Sequence, residues 1–218
     1  MEDDNIKNLP AVQNSKVTVL DRVYKVALNG LPHVDKPLDT LVNSYISNAS
    51  SKDEAIKKFI RNQKIKCGTT GFLTGLGGLL SLPVTIPADV ASSLYIEMRM
   101  IAGIAMIRGY NIFDDQVKTL VYLCLVGNAA GDAMKQAGIQ VGEKIVIKKL
   151  LPKLNRKIIN KINQLVGFRL LTKNGSKGIL NLGKMVPILG GVIGGGWNIA
   201  EVGFFANQAK KMFTESSQ

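Results

Sequence analysis

Glycines four residues apart recur along this chain, at Gly71/Gly75, Gly127/Gly131, Gly138/Gly142, Gly190/Gly194 and Gly191/Gly195. Small residues at that spacing let two helix backbones approach closely. Each glycine inside a helix costs about 1 kcal/mol relative to alanine, so tight packing or a bend has to recover the loss. The two richest segments, Gly68–Pro83 and Pro187–Gly196, mix these glycines with Leu, Ile, Val and proline. They read as two apolar helical hairpins of one packing unit, with Gly71, Gly75, Gly78, Gly190, Gly191 and Gly194 as the helix-packing positions.

The rest of the pattern is helical too. Val19, Val23, Val26 and Ala27 share one side of a helix from Ser15 to Asn29, and a loop marked by Gly30, Pro32 and Pro37 follows. Ser51-Lys52-Asp53-Glu54 has the spacing of a capping box, and Ile56, Phe59 and Ile60 form the buried stripe of a helix to about Lys66. Cys67–Ala88 is 22 residues without a charge. That length suits a membrane span, but five glycines and two prolines favour two short apolar pieces. Pro87 suits the first turn of a helix that stops at Gly109, and Asp114 suits the N-cap of the next. Pro152 suits the start of another. No alternation typical of strands persists, and neither Asn-Gly pair lies between β-branched runs. The class is all-α, a compact multi-helix bundle. The expected organisation is a partly helical N-terminal extension over 1–50 and a helical domain over 51–214.

Charge is concentrated. The net charge is +12, yet residues 1–143 hold 15 basic and 14 acidic side chains, whereas residues 144–200 hold 11 basic and no acidic ones. At 100° per residue, Leu154, Ile158, Ile159, Ile162, Leu165 and Val166 cluster on one face, opposite Lys153, Arg156, Lys157 and Lys161. With Lys148 and Lys149 these are the candidate lipid- or anion-binding residues. A solvated face is the plain reading; attraction to anionic lipid is the sharper one. Nucleic acid ranks below lipid, because Phe168 is the single aromatic between 144 and 184 and stacking platforms need more.

Signals for chemistry are sparse. The chain has no Gly-x-Ser-x-Gly, no Gly-Lys-Ser/Thr, no Glu-x-x-His pair and one histidine, His33, in a loop. Cys67 and Cys124 lack partners at metal spacing and read as buried thiols. No metal or cofactor is expected. Asp89, Glu97, Asp132, Glu143 and Glu201 lie in apolar surroundings; caps and ion pairs account for most such acids. Glu97, Arg99 and Asp132 are the candidates for a buried polar site. The first ten residues are acidic and carry no apolar core, so no signal peptide is expected and the chain is placed in the cytosol.

Residues Thr70 to Leu79, then Pro83, Ile86-Pro87-Ala88-Asp89 and Glu97-Met98-Arg99-Met100-Ile101-Ala102, resemble the EcsC protein family. The tail agrees through Gly167-Phe168-Arg169, Thr172-Lys173, Gly178, Lys184-Met185-Val186-Pro187 and Gly190 to Gly195. The resemblance covers roughly residues 55–213. It implies a bacterial, mainly helical, membrane-associated protein and supplies no catalytic residues. The expected role is attachment to anionic lipid at the inner face of the plasma membrane, alone or with a protein partner or second copy. A soluble protein–protein adaptor and, more weakly, a membrane-linked enzyme are the alternatives.

Overall fold

The computed structural model describes residues 9–67, 88–140, 150–171 and 199–214. These form eight α-helices and, among the described residues, no strand. The helices are α1 (Leu9–Asn29), α2 (Leu38–Ser47), α3 (Lys52–Cys67), α4 (Ala88–Ile107), α5 (Asp115–Leu125), α6 (Ala130–Gln136), α7 (Arg156–Leu171) and α8 (Ile199–Met212). The glycine-rich segments, with Gly71, Gly75, Gly78, Gly190, Gly191 and Gly194, lie outside the described residues, as do Lys148 and Lys149.

Helix α4 is the axis of the bundle. It packs against α1, α2, α3, α5 and α8. From Leu94 to Ile107 every residue except Met106 is buried, and the helix is apolar on every side except for Glu97 and Arg99, as its enclosure requires. Phe59 of α3 presses its ring on the backbone of α4 at Gly103, where a methyl group would come within 2.7 Å of Cε1. This close approach rests on a glycine outside the four-residue spacing. Gly131, inside that spacing, has nothing within 4 Å of the position a Cβ would take.

The segment read as an extension contributes to the same core. Leu20, Val23, Ala27, Leu38 and Val42 are fully buried with the side chains of α4 and α5. Helix α2 falls where the prolines suggested only loop. Its Pro37 stands at the N-cap and the chain is helical from Leu38, so the proline sets the entry and leaves the helix intact.

Local signals were partly redirected. Ser51 Oγ accepts from the Glu54 N–H at 3.2 Å, as a capping box requires, but Glu54 reaches back to Ser50, taking its N–H at 2.7 Å and its hydroxyl. Asp114 holds the N-cap position of α5 without a side-chain cap bond; its Oδ1 accepts instead from Asn111 Nδ2 at 2.8 Å. Pro152 starts only a short 3-10 turn, Leu151–Lys153. The cap of α7 is Asn155, whose Oδ1 accepts from the Ile158 N–H at 3.0 Å. Gly109 ends α4 with φ +96, as its position after Arg108 predicts.

Candidate functional site

Helix α7 has two faces. Ile159, Ile162, Val166 and Leu170 are buried against α1 and α5. Lys153, just ahead of the helix, and Arg156, Lys157 and Lys161 on it are exposed. Among the described residues no carboxylate pairs with any of these four. Lys157, Lys161, Gln164 and Phe168 follow one another at intervals of four, three and four and so share one stripe. Phe168 is 49% exposed. Lys157 and Lys161 line a cleft of about 570 Å³ against Gln136, Ala137 and Gly138 at the end of α6.

On the other side of α7 a second, larger groove of about 810 Å³ opens toward α1 and α5. Asp21, Asp114, Asp115, Lys118, Arg156 and Asn163 line it, with Phe113 at its edge 71% exposed. Lys118 Nζ lies 2.9 Å from Asp115 and 3.3 Å from Asp21. Burial works against its charge, but the bond to Asp115 and the field of Asp21 outweigh burial and raise its pKa. Tyr122 donates its hydroxyl to Asp21 Oδ1 at 2.7 Å; burial, then Asp21, pushes that phenol well above its ordinary value. Asn163 is 4% exposed, and its Oδ1 has no hydrogen-bond partner among the described residues.

The buried polar candidates do not converge. Arg99 is buried in α4 at 2% exposure. Its Nη1 donates to Ala27 O at 2.7 Å and its Nη2 to Lys36 O. Nη2 also lies 3.4 Å from Asp35, whose side chain is 1% exposed and accepts from Tyr95 at 2.8 Å. This guanidinium ties α4 to the end of α1 and to the loop before α2. Gly30 makes that loop possible: its φ is +78, and a Cβ there would stand 2.7 Å from Lys36 O. Glu97 is buried on the same helix. Asp132, expected to be buried, is 64% exposed on α6 and lies 3.9 Å from Arg169 of α7. A seven-residue helix with one buried side leaves its first-turn acid to solvent. Neither groove described above is lined by Glu97, Arg99 or Asp132.

Among the described residues no group of three His, Cys, Asp or Glu side chains is placed to hold a metal. No described helix is long and apolar enough to cross a membrane. Cys124 is a free, buried thiol, and burial raises its pKa far above the ordinary value. Asn163 is a functional candidate that the absence of charge conceals in the sequence. The signal was present: it lies four residues after Ile159 and three before Val166, on the apolar face.

The EcsC protein family model matches residues 7–215. The match extends the resemblance seen at 55–213 across α1 and α2. No curated protein matches the chain, and no solved structure does.

Proposed function

The chain belongs to the EcsC protein family, and from that premise we propose that it attaches to anionic membrane surfaces through the basic face of α7. One observation carries the reading. Lys153, Arg156, Lys157 and Lys161 are exposed together, with no pairing carboxylate among the described residues. Basic side chains already neutralised by acids would have little left for a phospholipid surface. At about 1 kcal/mol for each Lys or Arg near the membrane, four contribute about 4 kcal/mol, roughly a thousandfold in partitioning. The reading puts the protein at the cytoplasmic leaflet, held peripherally by charge. The apolar glycine-rich segments 68–83 and 187–196 are the parts able to add insertion.

Flotation with vesicles tests it. The full chain is expected to float with phosphatidylglycerol vesicles and not with phosphatidylcholine vesicles. Replacing the four basic residues by Gln is expected to abolish flotation while leaving the helical circular dichroism intact. High salt releases a protein held by charge alone; resistance to salt with release by detergent indicates inserted segments. Equal flotation with both lipids, or none with either, removes the reading, and a monodisperse chain that ignores vesicles favours the adaptor.

A further inference from the structure

The groove between α1, α5 and α7 lies off the stripe of Lys157 and Lys161, and not all of its charged groups are paired within it among the described residues. Lys118 is satisfied by Asp115 and Asp21, and Asp21 is further engaged by Tyr122. Three groups are left over. Asp114 accepts from the neutral amide of Asn111 but holds no cation among the described residues. Arg156 is exposed and holds no carboxylate among them. Asn163, on the floor, has a buried carbonyl oxygen with no hydrogen-bond partner among them. Buried acceptors in folded proteins are nearly always satisfied, so one left open beside a groove calls for a donor from outside the described residues.

A residual carboxylate, a residual guanidinium and a residual acceptor together describe one kind of ligand. It carries a positive group with N–H donors and a negative group a few bonds away. An anion alone leaves Asp114 and Asn163 unanswered, and a quaternary ammonium brings charge without a donor. We propose that this groove binds a primary-amine zwitterion of the phosphoethanolamine type. Its ammonium donates to Asn163 Oδ1 and faces Asp114, and its phosphate meets the Arg156 guanidinium. The source is a phosphatidylethanolamine headgroup or soluble phosphoethanolamine. Phe113, exposed at the edge, suits a ligand with an apolar continuation. Arg156 belongs to both readings, but Asp114 and Asn163 belong to the groove alone, so soluble probes and Asn163→Leu make the two proposals fail separately.

The test uses the isotope-labelled full chain and two soluble probes, glycerophosphoethanolamine and glycerophosphocholine, followed by amide shifts around Asn163. The ethanolamine probe is expected to give saturable shifts and to bind about tenfold more tightly than the choline probe, the equivalent of one hydrogen bond. Asn163→Leu, which keeps the branched skeleton of four side-chain heavy atoms, removes the buried acceptor; it is expected to keep the helical circular dichroism and to erase the preference. Arg156→Gln, at an exposed position, is expected to weaken the ethanolamine probe without affecting the fold. Absence of saturable shifts, equal binding of both probes, or an Asn163→Leu variant that still discriminates overturns the proposal. Vesicles then assign the source. If exchanging phosphatidylcholine for phosphatidylethanolamine at fixed phosphatidylglycerol raises flotation, the ligand is the lipid. If flotation is unchanged while the soluble probe binds, the site stands and takes the soluble compound.

Discussion

Replacing Arg99 by Met keeps most of the side chain's volume and removes every polar contact it makes. Two backbone carbonyls, Ala27 O and Lys36 O, lose their guanidinium donors, and the buried Asp35 carboxylate loses the Arg99 charge beside it. Orphaned buried acceptors cost about 1–3 kcal/mol each, and removing one partner of a buried ion pair costs about 3–5 kcal/mol in total. These costs overlap, because one side chain serves all three acceptors. The expected destabilisation is therefore about 4 kcal/mol, a large share of a typical total of about 5–15 kcal/mol. For a chain of this size that lowers the melting temperature by roughly 8–16 °C. Urea unfolding followed by far-ultraviolet circular dichroism measures it. A second variant divides the cost: Arg99→Met with Asp35→Leu removes the carboxylate that faced Arg99 but leaves both carbonyls and the Tyr95 hydroxyl without it, so it is expected to recover only part of the loss. A single variant within about 1 kcal/mol of the parent, or a double variant no better than the single, refutes the claim that this pair locks the α1–α2 loop to α4.

Gly103→Ala gains about 1 kcal/mol of helix propensity but overpacks Phe59 by about 1–3 kcal/mol, so it is expected to destabilise slightly; in a Phe59→Leu background the same change should become stabilising, and a constant sign in both backgrounds in urea unfolding refutes the contact. The Glu54 carboxylate is held down to about 2 from 4.5, first by Lys58 and then by Ser50. Its contribution is present above the unfolded value and is lost as pH falls from about 4.5 toward 2, so Glu54→Gln should flatten the acid limb of the melting temperature in that window. Cys124 should resist aromatic disulfide reagents in a Cys67→Ser background until the chain unfolds, since its thiol is buried and its pKa is raised; fast labelling of the native protein contradicts the burial.

What the sequence disclosed was periodicity. Valines 19 and 23, and Ile56 and Phe59, fall on the core side because a helix returns to the same face every three to four residues. The basic face of α7 was legible for the same reason. Side-chain partners were not. Asp114 has the identity and position of an N-cap, yet Asn111 competes for its oxygen, and nothing in the local string decides between the two. Asp35 meets Arg99 across 64 positions of chain, a pairing that only the closure of the α1–α2 loop creates. Glycine spacing misled at Gly131 and was silent at Gly103, because close approach depends on the neighbouring helix; there, it is the ring of Phe59.

The distribution of charge makes the two sides of α7 answerable to different partners. On one side Lys157 and Lys161 stand over a cleft edged by Gln136, Asn160 and Gln164, without a carboxylate in its lining. A uniform positive field there responds to any anionic surface and fades with salt. On the other side Arg156 shares a groove with three aspartates, a lysine and a buried acceptor. Opposed charges a few ångströms apart largely cancel at distance, so that groove attracts little from afar and discriminates by fit at contact. Arg156 serves both sides, whereas Lys157 and Lys161 serve attachment alone and Asn163 selection alone. Neutralising Lys157 and Lys161 should reduce vesicle flotation and leave the ethanolamine preference unchanged, whereas Asn163→Leu should do the reverse. Variants that move both properties together would show that the two faces of α7 act as a single site.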